Sequence, residues 1–259
     1  MRAFLALMAI CLATAVSAES GLFSMQSRED GRMWEAVGRL ELAGKAFCTG
    51  ALIAPDLVLT AAHCLYDAAS GAPIPVDEIQ FLAGWRNGRA AAYRRVRRAM
   101  AHPEYDFNAP ASPERVRKDI ALIKLQLPIR NTTILPFATG PHPQTGAEVS
   151  VVSYAHDRSE APSLQGYCEV LDRQRRMFVL SCQVDFGSSG SPVFAYADGV
   201  PRIVSVISAK AEADGRPVSL GTELEDSLAV LRAAMAADGV RQTVSAGERR
   251  DTGAKFIKP

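Results

Sequence analysis

Three side chains far apart in the chain, Ser189, His63 and Asp119, are of types that can act together. Ser189 lies in Phe186-Gly187-Ser188-Ser189-Gly190-Ser191-Pro192-Val193-Phe194, a small-residue run between the apolar stretches Met177 to Leu180 and Ile203 to Ile207. A serine hydroxyl attacks a carbonyl only when a base takes its proton and backbone donors receive the oxyanion. Gly187 and Gly190 allow the backbone a sharp turn, so that its N–H groups can converge beside the hydroxyl. Such a run alone describes any tight loop. Its chemistry depends on what base the chain can bring to it.

The chain has four histidines. His102 precedes a proline, His142 stands between two, and His156 sits beside Asp157 in a polar stretch, all of which suit loop residues. His63 differs: it follows an apolar run in Thr60-Ala61-Ala62-His63-Cys64, where small neighbours leave room around the ring. Asp119 opens the apolar run Asp119-Ile120-Ala121-Leu122-Ile123-Lys124-Leu125. A carboxylate there is costly to bury without a partner. Arg117 and Lys118 are adjacent candidates, and an imidazole N–H is another, one that would fix the tautomer of a basic histidine. No paired His/Glu motif at ligand spacing occurs, so no metal or cofactor is expected.

The elements that must position these residues are short strands. Val37 to Leu42, Lys45 to Ile53, Leu57 to Thr60, Glu78 to Trp85, Ala91 to Ala101 and Asp119 to Leu125 read as strands, with a turn at Ala54-Pro55-Asp56. Cys48 and Cys64 bracket one hairpin, and a bridge between them would pin His63. Tyr93-Arg94-Arg95-Val96-Arg97-Arg98 suits an exposed strand guarded by charge against edge pairing. Its arginines are also a candidate polyanion patch. His102-Pro103-Glu104-Tyr105-Asp106 is a connector, 109–118 a polar loop, and the proline-rich 128–146 a linker.

Glu148 to Tyr154, a second disulfide-closed hairpin from Cys168 to Cys182 turning near Asp172-Arg173-Gln174, Pro192 to Tyr196 and Arg202 to Ser208 follow as strands. Thr222-Glu223-Leu224-Glu225 fits a capping box. Leu224, Leu228, Leu231 and Met235 then repeat at helical spacing, ending near Gly239. Many strands with close turns and one terminal helix make an all-β barrel or sandwich protein in two halves.

Composition sets the address. The 259 residues are 48% hydrophobic and 22% charged, which is globular. Residues 1–18 read as a secretory signal, with Arg2 as the charged start and Val16-Ser17-Ala18 as the cleavage site. Removing it balances the charge, since 29 Lys and Arg stand against 28 Asp and Glu and only Arg2 leaves. Nothing in that balance suggests a nucleic-acid or membrane-surface partner. Cys11 leaves too, and the remaining Cys48, Cys64, Cys168 and Cys182 argue for two disulfides in an exported chain, periplasmic or extracellular.

The three motifs together resemble the trypsin-like (chymotrypsin-fold) serine endopeptidases. Thr60-Ala61-Ala62-His63-Cys64 matches the family's histidine motif, Asp119 to Leu125 its aspartate motif, and Gly187 to Pro192 its serine motif with two changes. Gly50-Ala51-Leu52-Ile53 and His102 to Tyr105 also fit, so the likeness spans roughly Val37 to Ser208. The order His, Asp, Ser is unlike that of an α/β-hydrolase. The resemblance implies two six-stranded antiparallel β-barrels, residues 19–135 and 136–221; the helical spacing adds a C-terminal α-helix over 222–239, and the polar composition after it a disordered tail from 240.

It also implies roles: Ser189 as nucleophile, His63 as base, Asp119 as the group steadying the imidazolium, and the N–H groups of Gly187 and Ser189 as oxyanion hole. The substrate is then a protein or peptide and the enzyme a monomer. Ser205-Val206-Ile207 matches the edge that pairs with substrate backbone. Gln183, six residues before Ser189, is not an acid, and Val204 stands where glutamate-specific relatives place a histidine; Val184 and Val204 suggest an apolar pocket. Ser188 stands where animal digestive relatives carry an aspartate that pairs with a new N-terminal amine. A serine cannot make that ion pair. Ser188, Ser191 and two disulfides look more like the bacterial glutamyl-endopeptidase-like branch. The alternative is a catalytically silent relative that binds a polyanion or protein partner.

Overall fold

The computed structural model describes residues 21–245, with side chains described to residue 237. The expected signal and most of the expected tail therefore lie outside the described residues. Within them the chain is mostly strand, arranged as two rings.

The first ring is a closed barrel of β2 (Val37–Leu42), β3 (Ala46–Ala54), β4 (Leu57–Thr60), β5 (Ile79–Ala83), β6 (Ala92–Ala101) and β7 (Ala121–Leu125), in the order β2-β3-β4-β7-β6-β5. Every residue of β4 is buried, in keeping with its apolar run Leu57-Val58-Leu59. Pairing of Thr60 with Ala121 sets the register of β4 against β7. Because the strands are antiparallel, the residues leaving β4 and those entering β7 share one end of the barrel. His63 and Asp119 are thereby neighbours.

Strand β6 pairs with β5 on one side and β7 on the other, so its arginines do not guard an edge. Arg95 and Arg97 point to solvent. Arg94 Nη2 donates to the Pro128 carbonyl at 3.4 Å and Arg98 Nη1 to that of Met235 at 2.9 Å. These side chains cover the barrel and tie down neighbouring segments.

The second ring contains β8 (Glu148–Ala155), β9 (Arg158–Gln174), β10 (Met177–Leu180), β11 (Pro192–Ala197), β12 (Val200–Ala213) and β13 (Arg216–Glu223). It runs β9-β10-β13-β12-β11-β8, and the pairing of β8 with β9 closes it. A short β1 (Leu22–Ser24) adds to β9 at Ser163 to Gln165. The β9–β10 turn falls at Arg175 and Arg176, both at positive φ, slightly beyond the expected site. Asp198-Gly199 and Asp214-Gly215, also at positive φ, make the turns that join β11 to β12 and β12 to β13.

Two elements differ from expectation. The polar loop before Asp119 contains a single-turn helix, α1 (Pro113–Lys118), capped by the Ser112 hydroxyl accepting from the Arg115 N–H. Residues 222–223 are the end of β13 rather than a capping box: the Thr222 hydroxyl donates to the Val116 carbonyl at 2.6 Å. The terminal helix α2 (Glu225–Ser245) starts just after and runs through Gly239. One interior glycine costs about 1 kcal/mol and does not end a helix by itself.

A large apolar cluster fills the first barrel and crosses to Tyr154, Phe194 and Ile203 of the second and to Leu228 and Leu231 of α2. A smaller cluster around Val149, Phe178 and Ile207 fills the second. The proline-rich linker is packed, not loose: its Ile129, Ile134 and Phe137 are buried.

Candidate active site

Asp119 is held on several sides. It caps the C-terminus of α1, is 4% exposed, and its carboxylate meets three donors. The His63 N–H reaches Oδ1 at 2.8 Å, His63 Nδ1 lies 2.7 Å from Oδ2, and the Ser208 hydroxyl donates to Oδ2 at 2.5 Å. A buried carboxylate needs such partners to stay charged. With Nδ1 carrying its proton toward Asp119, Nε2 keeps its lone pair. His63 itself lies in a 3-10 turn, Ala62–Leu65, anchored by the Cys48–Cys64 disulfide. Nearby, burial and then the Asp119 charge push the Tyr105 phenol up to about 12.

Ser189 approaches from the other barrel. Its carbonyl accepts the Thr49 N–H at 2.8 Å, and the Thr49 hydroxyl donates to the Gly187 carbonyl at 2.9 Å, so β3 grips the serine loop directly. Gly190, at φ +78°, packs where a Cβ would strike Thr60 Oγ1 and the Thr49 carbonyl. Gly187, at φ +95°, leaves no room beside the Phe47 ring. Among the described residues, no acceptor meets the N–H groups of Gly187 and Ser189. His63, Gly187 and Ser189 line one cavity of about 390 Å³, with Phe47, Tyr66 and Phe186 around them. A second cavity of about 560 Å³ lies on the Asp119 and Ser208 side of His63 and is walled by Tyr105, Phe107, Val116 and Leu220.

The expected substrate-facing residues are placed differently. Val204, Ser205, Val206 and Ile207 are all buried in the second barrel, and the Ser205 hydroxyl donates to the Thr222 carbonyl at 2.8 Å. The part of β12 that reaches the cleft is Ser208-Ala209-Lys210, three residues further on. A register shift between Ile207 and Ala209 leaves Ser208 as the extra residue of a bulge, which turns its hydroxyl toward Asp119. Gln183 is exposed, with its N–H donating to the Gln165 side chain at 2.7 Å, and Val184 packs against the second core. The Lys210 ammonium donates to Asp185 Oδ1 at 2.8 Å and sits 4.7 Å from the Phe186 ring centroid. That bond and the Phe186 N–H hold the Asp185 carboxyl below its usual range. Cys168 and Cys182 form the second disulfide.

A sequence model described as Trypsin matches residues 25–226. The chain belongs to the trypsin family. Among curated relatives of this trypsin-family protein, human "Serine protease 56" is 35% identical over 96 residues, covering 37% of this chain and 14% of that one. "Glutamyl endopeptidase" of Bacillus licheniformis is 26% identical over 148 residues, covering 57% and 45%. The chain thus spans under half the length of either relative. A solved Glu endopeptidase in complex with MPD superposes with a TM-score of 0.69 at 20% identity, covering 85% of this chain and 98% of that one. That likeness gives the trypsin-family protein the chymotrypsin fold.

Ser208 and Thr49 went unread in the sequence. Ser208 follows Ser205 in the same strand with the same apolar surroundings, so only the contact with Asp119 separates them. Thr49, beside a disulfide cysteine, carries no local mark of its contacts with Gly187 and Ser189. Among the described residues, no helix is long and apolar enough to cross a membrane.

Proposed function

We propose that the protein is an exported serine endopeptidase that hydrolyses peptide bonds in protein or peptide substrates through an acyl-enzyme. The observation that carries this reading is the His63–Asp119 pair, with Nδ1 at 2.7 Å from a buried carboxylate and His63 in one cavity with Ser189. The Ser189 hydroxyl adds to the scissile carbonyl while His63 Nε2 takes its proton. The Gly187 and Ser189 N–H groups receive the oxyanion. His63 then protonates the leaving amine, the C–N bond breaks and an ester to Ser189 remains. Water, deprotonated by His63, adds to that ester and releases the acid and the serine. Asp119 accepts from Nδ1 throughout and stabilises the imidazolium, as in the triad this family exemplifies.

Export is supported by the signal-like residues 1–18 and by the pairing of all four remaining cysteines. The deciding experiment is reaction of the folded protein with a fluorophosphonate probe, followed by peptide mapping. Modification at Ser189, absent in Ser189→Ala, is the expected result. Folded protein that neither reacts nor cleaves a mixed peptide library would end the reading.

A further inference from the structure

If Ser189 is the nucleophile, the proposed activity on which the present inference rests, the oxyanion loop must be held without a carboxylate at position 188. We infer that the turn joining β8 to β9, residues 154–158, with the Arg158 guanidinium lodged behind Ser188, holds this loop in working shape, so that no freed N-terminal amine is needed.

Each donor of the oxyanion hole belongs to a peptide whose carbonyl is fixed. The Gly187 N–H shares a peptide with the Phe186 carbonyl, which accepts the His156 N–H at 2.7 Å. The Ser189 N–H shares one with the Ser188 carbonyl, which accepts from the Ser191 N–H at 3.0 Å. Flipping either peptide breaks its bond. The Ser188 side chain, fully buried, donates to the Tyr154 carbonyl and accepts from the Asp185 N–H, both at 3.3 Å. A Cβ at Gly187 would sit 3.1 Å from Ala155 Cα, so the turn also walls off the space behind the loop.

Arg158 completes the clamp. Its side chain is 13% exposed. Nη2 donates to Ser153 Oγ at 3.2 Å and to Ser188 Oγ at 3.4 Å, and Nη1 pairs with Asp157, an acid 65% exposed. Its buried Nε has no partner among the described residues. A guanidinium so enclosed is costly unless its charge is used. Here it is directed at the back of the loop whose front receives an anion. It is thus a positioning residue, acting through Ser188. Residues 22–24 are meanwhile committed to β9, and the Met25 carbonyl to Arg86 Nε at 2.8 Å.

The two devices differ in pH behaviour. An α-amine loses its charge in mild alkali, whereas a guanidinium does not, so a loop held by a guanidinium keeps working where one held by an amine collapses. The test measures kcat, KM, fluorophosphonate labelling rate and peptide-boronate affinity on the full mature chain. Wild type carrying a blocked N-terminal extension should keep kcat within about twofold, with no loss of kcat from pH 8 to 10. Arg158→Met should lower kcat by about 10- to 100-fold with KM little changed, since misplaced oxyanion donors cost this much or more. Boronate affinity should fall in parallel, and Arg158→Lys should recover part of both. Full activity in Arg158→Met, or no better recovery with lysine than with methionine, would overturn the role of the guanidinium. If Arg158→Met fails to fold, the extension and the pH profile still decide: activity appearing only after the extension is removed, or lost with a midpoint near 8 to 9, sinks the inference. Wild type that never labels would instead fell the serine-hydrolase reading beneath it.

Discussion

The Ser208 hydroxyl of the second barrel donates a 2.5 Å hydrogen bond to the Asp119 carboxylate of the first. It is a tie between the two halves at the candidate site. The Thr222 hydroxyl, bonded to the Val116 carbonyl of α1 at 2.6 Å, is a second tie one turn earlier. Together they set where the helix ends, where Asp119 points, and so where the His63 ring stands.

Ser208→Ala removes one charge-assisted bond and leaves part of a buried carboxylate unmet. Such bonds contribute about 1.5–3 kcal/mol, and this one strengthens on Asp119 as the imidazolium forms, so kcat should fall roughly 10- to 100-fold. Steady-state kinetics check this, with KM expected to change little. Unchanged kcat would show that Asp119 is held by His63 and α1 alone.

Gly190→Ala should destabilise far more than Gly199→Ala. Both glycines are at positive φ, +78° and +75°, so each substitution carries the left-handed penalty of about 1–2 kcal/mol. At Gly199 the new methyl meets nothing within 4 Å, whereas at Gly190 it meets Thr60 and the Thr49 carbonyl. Urea unfolding of the two variants side by side is the measurement.

The two disulfides should separate stability from activity. Each closes a loop of similar length, with separations of 16 and 14 residues, and each should contribute about 3 kcal/mol. Cys48→Ala/Cys64→Ala also frees the turn that carries His63, so it should lower kcat in protein that is still folded. Cys168→Ala/Cys182→Ala should lower the unfolding midpoint with kcat nearly kept.

His102 should make stability depend on pH. It is buried, its Nδ1 accepts the Glu104 N–H at 3.2 Å, and burial followed by the Lys118 charge holds its pKa below the ordinary 6.5. Below pH 6.5 the unfolded chain therefore binds a proton that the folded chain resists. Stability should be complete above about 6.5 and decline as pH falls from there toward the lowered folded value. His102→Asn should flatten that part of the urea-midpoint profile, and an unflattened profile would assign the dependence elsewhere.

Much of the fold was legible because apolar runs and turn residues are local. All six strands of the first ring could be marked from such runs. In the second ring β13 was not, because Thr222 and Glu223 look like a helix start until Thr222 is seen bonded to Val116. The arginines of β6 suggested an edge that barrel closure removes. The histidine, aspartate and serine motifs stood out because each is a short contiguous string. The residues that grip them from across the molecule did not.

The amino-acid order alone determined the candidate chemistry, two cysteine-closed hairpins and a helical repeat after residue 222, since each depends on residue types within a few positions. Only the tertiary structure decided that Ser208, not Ser205, meets Asp119, and that Thr49 and Arg158 brace the serine loop. Those contacts join residues from different strands and loops, and one of them hangs on a single extra residue in a strand. No local pattern records where a bulge turns a side chain or which strand closes a ring.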